Sequence, residues 1–183
     1  MRTFILSSLF LLLAGCAERD RQPRQENNEQ RPDQESWDVE LAIEVDGRPR
    51  ARLAAPYVAR YEGTDSTFAR FSPTEQRPDR IHVLVFDDAG ELSATVEADR
   101  MDHYENRRMF VATGQVVVTN ETGRRLEGER LIWHEADREI RSDGFVRITT
   151  PTERLQGYSL VADESLETYR LARITGQVEV EDS

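Results

Sequence analysis

Between Trp37 and Asp46 the chain runs Trp-Asp-Val-Glu-Leu-Ala-Ile-Glu-Val-Asp, apolar and polar residues alternating up to the turn signal Asp46-Gly47. Successive side chains of a strand point to opposite faces, so this pattern gives one dry face and one wet one. The same period returns along the chain. Ile81–Phe86 is a second strand closed by Asp87-Asp88-Ala89-Gly90, and Ala94, Val96 and Ala98 alternate next. Phe110, Ala112, Gly114, Val116 and Val118 share a face and lead into Asn120-Glu121-Thr122-Gly123. Leu126, Gly128 and Ile132 follow, interrupted by Arg130; then come Val146 with Ile148, and Ala172, Ile174, Gly176, Val178 and Val180. No stretch keeps helical spacing over three turns. Ala51–Tyr61 comes nearest and contains Pro56, while residues 62–80, with Pro73 and Pro78, predict a long loop. The fold class is all-β.

An internal repeat adds architecture. Ala98–Val118 aligns without a gap on Gly128–Ile148, thirty residues on, matching Met101/Leu131, Glu105/Glu135, Arg108/Arg138, Phe110/Ile140, Gly114/Gly144, Val116/Val146 and Val118/Ile148. A third copy, Gly157–Val180, fits after an insertion of three residues and carries Gly157, Leu160 and Gly176. Each unit is a strand pair, so the expectation is an antiparallel two-sheet slab of repeating pairs with unpaired strands at its two ends.

Composition removes most chemistry. The formal charge is −11, and the 24 basic residues, all arginine, face 35 acids. So acidic a chain lacks the basic face that DNA or RNA demands, so no nucleic-acid partner is expected. Without lysine there is no P-loop lysine, Schiff base or lysine general base. The single cysteine excludes a disulfide framework and a thiolate metal cluster, and the three histidines, His82, His103 and His134, form no HExxH-like pattern. Acid clusters such as Asp87-Asp88, Asp163-Glu164 and Glu179-Glu181-Asp182 lack the alternating ligands and central glycine of a calcium loop. No carboxylate pair stands out for glycoside hydrolysis. The expectation is a non-enzyme with no cofactor and no metal.

The amino terminus reads as an address. Met1-Arg2 precedes the apolar run Thr3–Leu13, too short to cross a bilayer as a mature helix, which ends in Leu13-Ala14-Gly15-Cys16. That tetrapeptide reads as a bacterial lipobox: residues 1–15 are a lipoprotein signal peptide and Cys16 carries the lipid anchor. More than one acyl chain is needed for stable anchoring. Residues 16–36 contain no large apolar side chain and read as a disordered tether, leaving 37–183 as the folded part.

From about Ile81 to Val180 the chain resembles the LptC family, the periplasmic component of the lipopolysaccharide-export bridge, and its OstA/LptA-like relatives. The resemblance is carried by Phe86-Asp87-Asp88-Ala89-Gly90, Ala98-Asp99, Gly114-Gln115-Val116-Val117-Val118, Thr119-Asn120, Gly123, Leu126–Trp133, Ile140-Arg141-Ser142-Asp143, Val146-Arg147-Ile148 and Leu155-Gln156-Gly157. It implies a V-shaped β-jelly roll of two antiparallel sheets, open along one side, with lipid A acyl chains sliding between the sheets. It also implies jelly rolls joined edge to edge, from the inner-membrane ABC transporter through this component to a soluble LptA/OstA-like bridge protein. Better-known members carry an amino-terminal transmembrane helix where this chain has its lipobox. The family role implies the periplasmic side of the inner membrane; the sequence alone does not choose between the two membranes.

Lipid carriage needs an apolar trough and no nucleophile. Val96, Ala98, Phe110, Ala112, Val116, Val118, Leu126, Ile132, Val146, Ile148, Ile174 and Val178 are its expected lining, each also an ordinary core position. Gly114, Gly128, Gly144, Gly157 and Gly176 are expected structural glycines, at bulges, tight twists or wide places. His103-Tyr104 and Trp133-His134 read as interface residues at strand ends. Two other functions compete: a structural adaptor lipoprotein that joins jelly-roll partners edge to edge and binds no lipid, and a half-barrel envelope carrier, which needs a helical lid that no helical periodicity supplies.

Overall fold

The computed structural model describes residues 31–63 and 67–178. The signal peptide, Cys16, most of the tether and Val180 lie outside the described residues. Eleven antiparallel strands follow in order: β1 Gln34–Val45, β2 Arg48–Glu62, β3 Thr67–Ser72, β4 Ile81–Phe86, β5 Leu92–Ala98, β6 Arg100–Tyr104, β7 Met109–Asn120, β8 Arg125–His134, β9 Glu139–Thr149, β10 Glu153–Asp163 and β11 Tyr169–Val178. A single 3-10 turn, Glu105–Arg107, separates β6 from β7. Among the described residues no helix is long and apolar enough to cross a membrane.

Two expectations are corrected. Ala51–Tyr61, the nearest thing to a helix in the sequence, is the middle of β2. Residues 62–80 are not all loop, because Thr67–Ser72 forms β3, with Phe71 buried and Tyr61, Phe68 and Tyr104 stacked across β2, β3 and β6. Arg70 stands over the Tyr61 and Phe68 rings and donates two hydrogen bonds, 2.8 and 3.0 Å, to Asp102, a carboxylate only 5% exposed. Here polar residues are in the sheet through a pairing the local sequence does not reveal. The strand pattern also starts earlier than Trp37, at Gln34.

The pairing closes a ring, β7–β5–β4–β2–β3–β6 and back to β7, from which β8, β9, β10 and β11 extend in order; β1 lies against β2. Ring-like connectivity of antiparallel strands around one core cluster makes the fold jelly-roll-like. The ring closes because two long strands change partner midway. β2 pairs with β4 over Ala51–Ala54 and with β3 over Tyr57–Glu62, and Pro56, which has no N–H to give a ladder, stands at the change. β7 pairs with β6 up to Thr113 and with β5 from Val117, and Gly114-Gln115, both at positive φ, stand at that change.

Register shifts continue this line across β8, β9 and β10, forming a crease. Arg80 pins it, donating to Asp99 Oδ1 at 2.9 Å and to the carbonyl oxygens of Gly114 and Gln115 at 3.3 and 2.5 Å. Gly114, at φ +79°, holds the strand where a Cβ would come within 2.5 Å of the Asp99 carboxylate.

The thirty-residue repeat is visible as stacked hairpins. Arg108 and Arg138 both adopt the left-handed conformation, at φ 47° and 53°. Each turn is tied to the next: Glu135 N–H donates to the Arg108 carbonyl (3.0 Å) and Glu164 N–H to that of Arg138 (3.2 Å). Side chains repeat the link, Arg60 with Glu105, Arg108 with Glu135 and Arg138 with Glu164. Inside the slab the repeat partners Met101/Leu131, Phe110/Ile140, Val116/Val146 and Val118/Ile148 are all buried.

Candidate functional site: an apolar trough with an ionic seam

Between the layers runs a trough of about 760 Å³, counting the part open to solvent. Ile43 of β1, Ala51 and Leu53 of β2, Val83 and Val85 of β4, Ala94 and Val96 of β5, and Met101 of β6 form one portion of the wall. Phe110, Ala112, Val116 and Val118 of β7, Leu131 and Trp133 of β8, and Ile140 of β9 form the rest, joined by a single charged residue, Glu164, in the turn after β10. Each strand places its wall residues by simple alternation, so the trough is the dry face of the sheet folded over on itself. His103, Phe110 and Trp133 stack in a row, with centroids 4.0 and 5.4 Å apart. Burial pushes the His103 ring below its ordinary pKa, against the opposing charges of Glu105 and Glu135.

Of the residues expected to line the trough, Val96, Phe110, Ala112, Val116 and Val118 do so. Ala98, Leu126, Val146 and Ile148 are fully enclosed in the same core cluster, packed against neighbours instead of facing the open space. Val178 ends β11 and its side chain lies outside the described residues. Ile132 and Ile174 are corrections. On β8 the inward positions are Leu126 and Gly128 before the crease but Leu131 and Trp133 after it, because the strand crosses with an odd step; Ile132 is thereby excluded from the trough. Ile174 is 54% exposed, because β11 has a partner on one side only and nothing packs over it.

The repeat held the missing signal, since Leu131 aligns with Met101 and both line the wall. Ile43 was visible as alternation, whereas Ala51 and Leu53 fell in the stretch nearest to helical spacing, and the meeting of all three with β7 and β8 depends on ring closure.

The glycines divide by surroundings. A Cβ on Gly157 would sit 2.8 Å from the Ala172 carbonyl oxygen, and one on Gly176 2.6 Å from Leu155 Cδ2. One on Gly128 would meet Val146 Cγ1 at 3.1 Å, whereas Gly144 has nothing nearer than Ser142 Oγ at 3.8 Å.

One end of the trough is closed by charge. Arg50 Nη2 donates to Glu164 Oε1 at 2.5 Å, and Arg138 Nε donates to the same oxygen at 2.7 Å. Asp88, in the turn after β4, reaches both guanidiniums at 3.7 and 3.6 Å. The hydrogen bond and charge of Glu164 hold the Arg138 guanidinium above its ordinary pKa. Arg50, Arg138 and Asp88 belong to a polar hollow lined also by Asp46, Arg48, Arg108, Asp87 and Glu135, where acids balance bases. Such a hollow stitches the β2 and β4 side to the hairpin turns and is not a free anion site. Among the described residues no group of three or more His, Cys, Asp or Glu is disposed to hold a metal.

The molecule therefore offers an apolar trough, a charged seam at one end and two strands, β1 and β11, each with an edge unpaired among the described residues. No individual curated protein matches the chain in sequence. The family model described as lipopolysaccharide-assembly, LptC-related, matches residues 3–179, nearly the whole chain, and the chain belongs to that family.

Proposed function

We propose that this protein is a lipid-anchored bridge component that carries lipopolysaccharide from the inner-membrane ABC transporter to a soluble jelly-roll partner, holding acyl chains in the trough. Family membership carries the coarser part, a role in lipopolysaccharide transport, which is not catalysis. The finer part rests on one observation: a wall built from eight strands on which, among the described residues, Glu164 is the only charged side chain. Acyl chains bury favourably against such a wall at roughly 25 cal/mol per Å². Phosphates and sugars remain outside, which is how an acidic protein accommodates an anionic lipid.

The two edges supply the relay. β1 bears Trp37, Leu41 and Val45, all substantially exposed, and β11 bears Ile174. An edge strand with exposed apolar residues is a template for strand addition, and main-chain pairing with a neighbour would align the two troughs. In this reading Cys16 anchors the chain on the periplasmic side of the inner membrane, and residues 17–33 tether the slab.

Photo-crosslinkers test the trough. Placed at Phe110, Val116 or Leu131 they should capture lipopolysaccharide in cells, while one at Ile132 should not. Capture from Ile132 alone, or equal capture from all four, overturns the proposal and favours an adaptor that only pairs edges.

A further inference from the structure

The crease folds the long strands back on themselves, so the slab has two leaves that face each other across the trough. Tyr169 shows how closely their far ends approach. It pairs with Ala162 near one end of β10, yet its hydroxyl donates to the carboxylate of Glu153, at the other end, at 3.0 Å. In a straight strand, at about 3.3 Å per residue, those ends would stand about 30 Å apart.

Other ties bridge the same gap. Asn120 Nδ2 donates to the Ser165 carbonyl oxygen and Arg124 Nη1 to that of Leu166, both at 2.8 Å, beside the Arg50 bond to Glu164. Asn120 and Arg124 lie in the turn after β7 and Arg50 near the start of β2, all on the leaf that carries Glu153. Their partners all lie in Glu164–Tyr169, on the opposite leaf. One more tie, Arg138 with Asp88 at 3.6 Å, joins the adjacent turn. Leu166, fully buried and at φ 57°, fills the gap between these bonds. The turn also holds its own shape. The Asp163 carboxylate accepts from Ser165 Oγ at 2.6 Å and from the N–H groups of Glu167 and Thr168 at 3.0 and 2.6 Å. None of these internal bonds crosses the gap, so they survive if the turn withdraws.

In this structure the leaves are shut. Leu53 and Val116 line the trough yet are only 2% and 1% exposed, so an acyl chain reaches them only when the leaves part. The turn sits at the margin of the sheet, where β11 has a partner on one side only, so it can swing aside without breaking a strand beyond it.

We propose that the β10–β11 turn, Asp163–Thr168, is a clasp that gates entry of acyl chains into the trough. Closed, it ties the leaves together with Leu166 as the stopper; released from Arg50, Asn120 and Arg124, it lets them part. This rests on the lipid-carrier reading above and adds its controlling step. Each tie is an ordinary hydrogen bond or a partly screened ion pair, so the clasp holds by their sum and opens reversibly.

Opening is read from Trp133, on the trough wall, in the purified full-length chain carrying Trp37→Phe, where it is the sole tryptophan. Adding Arg124→Gln or Tyr169→Phe should raise the constant for quenching by acrylamide about threefold to tenfold, as loss of one net hydrogen bond predicts. Arg108→Gln, which breaks a tie to Glu135 within one leaf, should leave it unchanged. Entry is read in cells from a photo-crosslinker at Val116. A chain carrying both Asn120→Cys and Ser165→Cys, bridged by a short bis-maleimide, should capture severalfold less lipopolysaccharide than either single variant treated alike.

Unchanged quenching in Arg124→Gln and Tyr169→Phe, or an equal rise in Arg108→Gln, overturns the clasp and leaves the carrier reading intact. Undiminished capture by the bridged double variant overturns the gating, the lipid then entering elsewhere. Capture by none of the chains, the unaltered one included, overturns the carrier reading and this inference with it.

Discussion

Replacing Gly157 by alanine sets two known effects against each other. Glycine inside a strand costs conformational entropy, so alanine at an unobstructed strand position stabilises by about 0.5–1 kcal/mol. At Gly157 the new methyl would lie 2.8 Å from the Ala172 carbonyl oxygen, 3.4 Å from that of Arg173 and 3.5 Å from Ile174 Cα, all backbone of β11. Ordinary contact requires β11 to retreat by roughly half an ångström, and overpacking of this kind costs about 1–3 kcal/mol. Steric cost therefore wins, and Gly157→Ala should lower stability by about 1 kcal/mol net. Gly144→Ala is the counterpart, because its nearest obstacle is Ser142 Oγ at 3.8 Å and its φ is not positive. It should be neutral or raise stability by a few tenths of a kcal/mol. Urea unfolding of both variants gives the signs, and hydrogen exchange locates the damage. In Gly157→Ala, amides of β11 should exchange faster while those of β7 and β8 are little changed. A Gly157→Ala midpoint at or above that of the unaltered protein, with β11 exchange unchanged, would refute the steric reasoning.

Other outcomes follow from the same structure. Asp102→Ala should cost about 2 kcal/mol in urea unfolding: the carboxylate is buried, but Arg70 is about one-third exposed, so the penalty of 3–5 kcal/mol for a fully buried pair is discounted. His103 is held below its ordinary value of about 6.5 by burial, so the unfolded chain takes up a proton first as pH falls. Stability should be full above about pH 6.5 and decline below it, and His103→Phe should flatten that part of a melting-temperature profile taken from pH 7.5 to 5.5. Cys16→Ser should abolish incorporation of labelled fatty acid in cells; unchanged labelling refutes the lipobox.

The sequence revealed local order well. Alternation located β1, β4 and β7, and the thirty-residue repeat paired Arg108 with Arg138, which the structure finds at equivalent left-handed turn positions, and matched the paired buried positions. It failed where parity or partner depends on distant chain. Ile132 continues the alternation of Leu126 and Gly128 on paper, but β8 crosses the crease with an odd step and Leu131 takes the inward place. β3 was hidden because Arg70, Thr67 and Ser72 are polar, and only the pairing with Asp102 and the aromatic stack on β2 and β6 make that segment a strand. Glu164 looked like one acid in an acidic cluster. Its position on the wall follows from Arg50, 114 residues away in sequence, which no local pattern connects to it.

The linked hairpin turns have an evolutionary corollary. The Arg108 and Arg138 turns each offer a left-handed arginine and receive a glutamate from the next turn, so the joint recurs at thirty-residue spacing. A tandem duplication of one thirty-residue unit would arrive with its own fastening and its own buried quartet, leaving the terminal strands untouched. Length is then a heritable variable independent of the two edges, and a lineage can lengthen the slab without redesigning its terminal strands.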